Sequence, residues 1–332
     1  MRMDSVPKDI RIIMKRALII GVTGQDGPYL AKLLLDKGYE VHGTSRDHES
    51  SSFGNLDRLG IKERITPHSL ISRDFRSVLA TLQAVQPDEI YNLSGQSSVA
   101  LSFLQPVETF ESISVATVNI LECLRMFNHP AKFYNAGSSE VFGNAPSAAS
   151  EQTLFCPRSP YATAKAAAHY TVANYREAYG LKACTGILFN HESPLRSARF
   201  VTRKIVSAAV RISRGSSEIL ELGNVRARRD WGWAPEYVEA MWLMLQQDDC
   251  DDYVVATGET NGLDDFTDAV FKAVDLDWRE HVKYNNSLLR PSDIDISSAD
   301  PGKAATKLGW AAKYHMRDVA RLLVDAELAA VD

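Results

Sequence analysis

Apolar positions along the chain fall into two alternating periods. Residues 16–20 form a short apolar run that reads as a buried strand. The run passes straight into Gly21-Val22-Thr23-Gly24-Gln25-Asp26-Gly27, and residues 30–35 then follow helical spacing, closed by Lys37-Gly38. A second strand is expected at residues 40–45. Further short strands are expected at 65–69, 89–92, 132–135, 182–188 and 253–256. Between them, helical spacing covers residues 75–84, 109–127, 161–179 and 235–247. Strands that alternate with helices predict an α/β fold with a doubly wound parallel sheet of Rossmann type.

After Phe189 the pattern loosens. Residues 190–196 read as a polar turn, 202–213 as a helix and 219–222 as a strand. A basic stretch holding Arg226, Arg228 and Arg229 precedes Asp230-Trp231-Gly232-Trp233, and the tail from Leu263 is mostly helical apart from an extended piece at 289–294. The expected division is therefore a sheet domain over 15–189 plus 233–257. A smaller mixed α/β lobe takes 190–232 plus 258–332, and 1–14 is an extension.

The 332 residues carry a net charge of −5. That leaves no basic field for nucleic acid, though a few placed arginines can still hold an anionic ligand. The four cysteines, Cys123, Cys156, Cys184 and Cys250, are scattered. They suggest no metal site and no disulfide framework, and they fit a reducing cytoplasm. No long apolar run marks a signal peptide or a membrane span.

Strand, glycine turn and helix together make the first unit of a dinucleotide-binding fold. Gly21, Gly24 and Gly27 let the backbone approach a pyrophosphate, which the helix N-terminus attracts; Thr23, Gln25 and Asp26 lie in the same turn. Arg46 follows the second strand and suits the 2′-phosphate of NADP, while Asp47 after it leaves NAD open. Small residues just past a strand end mark a ligand crevice, which brings in Leu93, Gln96 and Ser97. Tyr161 and Lys165 are four apart on one helical face. A lysine beside a tyrosine is expected to lower the phenol pKa, so that the tyrosine can exchange a proton with a sugar hydroxyl. Ser138 lies just past the strand before that helix, in the run Gly137-Ser138-Ser139-Glu140.

The glycine turn, Ser138 and Tyr161-x-x-x-Lys165 resemble the extended short-chain dehydrogenase/reductase superfamily. Within it the chain is similar to the GDP-mannose 4,6-dehydratase family. The stretches that carry this are Gly24-Gln25-Asp26-Gly27, Pro157-Arg158-Ser159-Pro160-Tyr161, Ile187-Leu188-Phe189-Asn190-His191-Glu192-Ser193-Pro194 and Arg229-Asp230-Trp231-Gly232. The match runs along nearly the whole chain after Lys15.

The resemblance implies an internal redox dehydration of GDP-mannose, or of a related GDP-sugar such as a GDP-heptose. Tyr161, Lys165, Ser138 and Glu140 would be catalytic. His191 and Arg196 would join the residues above at NADP. Asn190, Val201, Lys204, Arg229, Arg290 and Asp293 would hold the nucleotide sugar, and a homodimer or homotetramer is expected. Glu140 argues for elimination, because a keto-sugar reductase needs no base at C5. The chain departs from the family in four places: Ser138 replaces threonine, Asp293 replaces glutamate, Asp47-His48-Glu49 follows Arg46 where a second arginine is usual, and Ser69-Leu70 stands where an aspartate is usual.

Overall fold

The structure is a computed structural model that describes residues 14–330. Apart from Met14, the expected extension at 1–14 lies outside the described residues.

The first part of the chain runs β1 (Arg16–Ile20), α1 (Asp26–Asp36), β2 (Glu40–Ser45), α2 (Gly54–Arg58), β3 (Thr66–Ser69), α3 (Phe75–Val85) and β4 (Glu89–Asn92). It continues through α4 (Val99–Leu104), α5 (Pro106–Phe110), α6 (Ala116–Met126), β5 (Lys132–Ala136), α7 (Pro160–Tyr179) and β6 (Ala183–Leu188). A π-helical turn, Glu111–Val115, joins α5 to α6 without a break. Then come β7 (Asn190–Glu192), α8 (Val201–Ser213), β8 (Leu220–Leu222), β9 (Arg228–Arg229), β10 (Trp231–Trp233) and α9 (Ala234–Gln246). The chain closes with β11 (Tyr253–Val255), β12 (Asn261–Gly262), α10 (Leu263–Lys272), β13 (Val282–Tyr284) and α11 (Met316–Ala329).

Seven parallel strands form one sheet in the order β11-β6-β5-β4-β1-β2-β3. Successive side chains on a strand point to opposite faces, and here both faces are covered. Ala17, Ile19, Tyr91 and Tyr134 pack with α1 and α9 residues such as Leu30, Leu34, Met241 and Met244. Leu18, Ile20, Ile90 and Phe133 pack on the other side with Val78, Leu82, Ile120 and Leu124. Burial on both faces is why β1 reads as an unbroken apolar run after Arg16. A separate apolar cluster joins α8, α10 and α11 through Ile205, Ala209, Phe266, Val270, Val319 and Leu323.

The chain adds several short elements to the sequence pattern, α2, α4, β9, β10 and β12 among them, and two differences bear on the smaller lobe. Residues 190–192 are not a turn. They form β7, which pairs in parallel with β10 through Asn190↔Trp231, His191↔Gly232 and Glu192↔Trp233. His191 and Glu192 are buried, because Asp26 and Thr202 supply their partners. Within the tail, Val282–Tyr284 forms β13 and pairs with β8; three residues are too few to show a strand period.

Parallel register places the strand ends at one edge. Ile20 is level with Asn92, and Asn92 with Asn135. The glycine turn, the segment after β4 and the segment after β5 therefore emerge side by side, as in the ligand crevice of a parallel sheet. No helix among the described residues is long and apolar enough to cross a membrane.

Candidate active site

The glycine turn is built by close approach. Gly21 has φ 90°, and a Cβ there would lie 3.0 Å from the backbone of Ser94. A Cβ on Gly27 would lie 2.5 Å from the Val22 carbonyl oxygen, so only glycine lets α1 sit against β1. Thr23 and Gly24 are exposed, and Asn55 Nδ2 donates to both their carbonyls at 3.3 and 3.0 Å. The residue before α1, Gln25, makes no side-chain cap. The first N–H groups of α1 thus stay available to an anion. Gln25 Oε1 is buried with no hydrogen-bond partner among the described residues. Open backbone donors, an exposed glycine and an orphaned amide oxygen fit the diphosphate of a dinucleotide.

The turn is tied to β7. Gln25 Nε2 donates to the His191 carbonyl and to Asp26 Oδ1, both at 3.0 Å, and His191 Nε2 lies 3.0 Å from Asp26 Oδ2. The His191 ring stacks on Tyr237 with centroids 4.6 Å apart. The crevice residues after β4 divide. Leu93 is half-buried against the core, Ser97 is exposed, and Gln96 is turned inward. Gln96 Nε2 donates to Ser98 O at 2.8 Å and Thr109 Oγ1 at 3.3 Å, and its Oε1 accepts from Ser98 N. Arg46 is exposed at the end of β2.

Ser138 and Glu140 are fixed to each other. Ser138 caps the short turn Ser139–Phe142, and its Oγ accepts from Glu140 N at 3.3 Å. On α7, Ser159 Oγ accepts from Ala162 N at 3.1 Å and Pro160 takes the first helical position. This cap sets Tyr161 and Lys165 in the first turns, both 8% exposed. Lys165 Nζ donates to Ala136 O at 2.8 Å and lies 5.8 Å from the Tyr161 ring centroid.

Burial dominates the electrostatics of this group. It pushes the Tyr161 phenol up to about 12, against a hydrogen bond with the Ser138 hydroxyl that favours the phenolate. It pulls the Lys165 ammonium down to about 8. The expected lowering of the phenol is outweighed here: burial is the largest influence on Tyr161 and raises it, while Lys165 uses one of its three donors on the Ala136 carbonyl. Burial likewise raises the Glu140 carboxyl, opposed by the charges of Arg229 and Arg290.

Those two arginines come from different segments and share one carboxylate oxygen. Arg229 Nη2 and Arg290 Nη1 each lie 3.3 Å from Asp293 Oδ1. Asn190 is half-buried on β7, and Val201 and Lys204 are exposed at the start of α8. Lys204 Nζ donates to Glu221 O at 2.7 Å. Arg196 stacks over the Phe200 ring at 3.7 Å and faces Glu192 at 3.5 Å. Arg196 and Lys204 are thus engaged within the chain.

Sequence reasoning passed over Asn55, which holds the glycine turn. It also passed over the chain Ser94 Oγ to Asn92 Oδ1 at 2.7 Å and Asn92 Nδ2 to Asn135 Oδ1 at 3.1 Å. The signal was present in the second case: asparagines stand at the same position of two buried strands. Nothing local marks Asn55.

A profile of the family described as "GDP-mannose 4,6 dehydratase" matches residues 18–323. GDP-mannose 4,6 dehydratase 1 of Arabidopsis thaliana is 47% identical over 328 residues, which cover 95% of this chain and 90% of the relative. GDP-mannose 4,6-dehydratase of Sinorhizobium fredii is 42% identical, covering 95% of this chain and 97% of the relative. Among solved structures, UDP-glucose 4-epimerase of Thermus thermophilus in complex with NAD aligns with a TM-score of 0.82 at 25% identity, covering 94% of this chain and 98% of that one.

Proposed function

This chain belongs to the GDP-mannose 4,6-dehydratase family and carries that family's lyase activity; from that premise we propose how its own residues divide the work. The cofactor is a nicotinamide adenine dinucleotide, and we read it as NADP. Bound on the glycine turn, it supplies a hydride acceptor for C4 of the sugar and a hydride donor for C6.

Tyr161 takes the proton from the 4-hydroxyl, and Ser138 donates a hydrogen bond to the 4-oxygen. Lys165 places its positive charge beside this pair and steadies the phenolate as it forms. Once C4 is a ketone, the C5 proton is acidic, and Glu140 removes it. Glu140 then gives that proton to the departing 6-hydroxyl, so water leaves and a C5–C6 double bond forms in conjugation with the ketone. When the hydride is added at C6, C5 takes a proton back through Glu140, and the proton Tyr161 removed from the 4-hydroxyl closes the balance. Arg229 and Arg290 clamp the diphosphate, for which paired guanidinium forks are suited. The product is GDP-4-keto-6-deoxy-mannose, and the cofactor ends as it began.

One observation carries this reading: Glu140 is anchored two residues from Ser138, within the field of both arginines. A reductase would leave that carboxylate without a task. The test is to incubate the protein with GDP-mannose and catalytic NADP⁺ and follow the product by mass spectrometry. Loss of one water without net NADPH is expected. Tight binding of GDP-mannose without water loss would move the reaction to another GDP-sugar or to a reductase.

We further propose a homo-oligomer working in the cytoplasm. Residues 106–126 form one continuous helical rod whose Val107, Val115, Val118 and Met126 are exposed at helical spacing. Such a stripe is the kind of face a second copy covers.

A further inference from the structure

Glu140 and the two arginines stand on segments far apart in sequence, and the fold joins those segments outside the site itself. The turn that holds Glu140 ends at Gly143, whose φ of 60° favours glycine and where a Cβ would collide with the Cys156 carbonyl oxygen. The next residue, Asn144, is exposed, and its Oδ1 accepts from Asp295 N at 2.8 Å. Asp295 O accepts from Arg228 N at 2.8 Å. The Arg228 carbonyl accepts in turn from Ser297 N at 3.0 Å and from Arg229 Nη1 at 2.9 Å. One hydrogen-bonded path therefore runs from the Glu140 turn through residue 295 to β9 and the Arg229 guanidinium.

A second set of ties lies farther out. Ala149 N donates to Ser298 O and Asp300 N to Ala149 O, each at 2.9 Å, and Glu151 Oε1 accepts from Val254 N at 2.7 Å on the edge strand β11. These fasten both segments to the sheet, but Ala149 is nine residues beyond Glu140. Asn144 is four residues beyond it, and Asp295 is two beyond Asp293. Of these ties, the Asn144 bond leaves the least intervening chain between base and clamp.

We propose that Asn144 is a positioning residue for the dehydration step: its hydrogen bond to the Asp295 amide fixes Glu140 relative to the segment that carries Arg290 and Asp293, so that a sugar held by its diphosphate presents C5 to the base. The inference rests on the reading of Glu140 as that base and of the arginines as the diphosphate clamp. The diphosphate is joined to C1 of the sugar, so the spacing from clamp to base has to match the ring. A misplacement of about 1 Å is enough to slow a reaction step severely.

Tyr161 and Lys165 have a different support. They are held by α7 and its Ser159 cap, and Lys165 by the end of β5. Oxidation at C4 and elimination across C5 and C6 therefore lean on separate parts of the fold, and loss of the Asn144 bond should fall on the second step alone.

Rapid mixing of the NADP⁺-loaded protein with GDP-mannose, followed by the absorbance of reduced nicotinamide, separates the two steps. In Asn144→Ala the signal should rise at the wild-type rate. It should decay roughly twofold to tenfold more slowly, the scale of one net hydrogen bond. Asn144→Asp keeps the acceptor oxygen and should restore the decay. In a Glu140→Gln background, Asn144→Ala should add nothing to the loss of 6-deoxy product, because the group it positions is already gone. A wild-type decay in Asn144→Ala, equal slowing of both phases, or a decay in Asn144→Asp as slow as in Asn144→Ala overturns the proposal. A smaller signal with unchanged rates assigns Asn144 to folding alone and overturns it as well, and so does a full additional loss in the Glu140→Gln background. A wild-type protein that removes no water from GDP-mannose overturns instead the reading of Glu140 on which the inference rests.

Discussion

His191 and Asp26 form a partly buried ion pair between β7 and the start of α1, with Nε2 3.0 Å from Oδ2. The opposite ring nitrogen, Nδ1, lies 2.7 Å from the Phe189 carbonyl oxygen. Both partners are acceptors, so only the doubly protonated ring can donate to both. Burial works against the charge on each residue. For His191 the attraction and hydrogen bond of Asp26 outweigh it and raise the pKa, and for Asp26 the charge and hydrogen bond of His191 outweigh it and lower the pKa.

That pair should make stability depend on pH in a defined sense. A histidine raised in the fold contributes fully below its unfolded value and loses the contribution as pH rises through the folded one. An aspartate lowered in the fold contributes above its unfolded value and loses that as pH falls through the folded one. The pair therefore supports the fold most in mildly acidic solution, above the ordinary aspartate value and below the ordinary histidine value. Asp26→Asn should lower the unfolding free energy by about 1–3 kcal/mol near pH 6, with a smaller deficit at pH 9. Urea unfolding at the two pH values measures it. The same deficit at both would assign the loss to packing.

Tyr161 and Lys165 carry opposite perturbations from one cause, the phenol at about 12 and the ammonium at about 8. The lysine is the group that changes charge within an accessible range. It is protonated below about 8, so kcat/KM should fall as pH rises past that point. A rate that keeps climbing through pH 9 would show that the lysine charge is not needed. Tyr161→Phe should cost roughly 10²–10⁴-fold in kcat, the scale of general acid–base catalysis, while dinucleotide binding measured by titration persists.

Glu140 is raised by burial, in spite of two nearby arginines. As the base at C5 it works only when ionised, so dehydration should fade as pH falls through that raised value. Glu140→Gln keeps the shape and removes the base. It should depress formation of the 6-deoxy product by roughly 10²–10⁴-fold. Exchange of a deuterium label at C4 with the cofactor should continue, since that step belongs to Tyr161. A glutamine variant that makes product at the wild-type rate would remove Glu140 from the mechanism.

The large sheet was legible because its strands alternate with helices: residues 16–20 stand where an apolar run puts them, and 40–45 and 89–92 where that alternation puts them. Legibility failed at β7, where Asn190, His191 and Glu192 look like a solvated turn. The polarity of His191 and Glu192 is satisfied by Asp26 and Thr202, 165 and 10 residues away in sequence, and no local pattern reports partners at such separations. Tyr161 and Lys165 were visible as a spaced pair, but their electrostatics were not. Four-residue spacing announces proximity, whereas the Ala136 carbonyl that accepts the lysine's hydrogen bond belongs to β5. Arg229 and Arg290 stood out only through family resemblance, and their sharing of Asp293 is a product of the fold.

That shared carboxylate sets up the last prediction. Asp293 Oδ1 accepts from Ile294 N at 2.9 Å and lies 3.3 Å from each guanidinium. One anionic oxygen between two arginines is the charge pattern a diphosphate would meet. Arg229 is the more enclosed, its side chain 9% exposed against 35% for Arg290. A charge-assisted hydrogen bond gains strength away from water, so Arg229 should matter more. Arg229→Ala should raise KM for GDP-mannose roughly 10–100-fold, the scale of a hydrogen bond to a charged group, with NADP binding unchanged. Arg290→Ala should cost less. Because the two arginines share a partner, the double variant should fall short of the product of the single effects. Equal loss of GDP-mannose and NADP binding in Arg229→Ala would point to misfolding, and full multiplicativity would mean that the arginines grip the ligand independently.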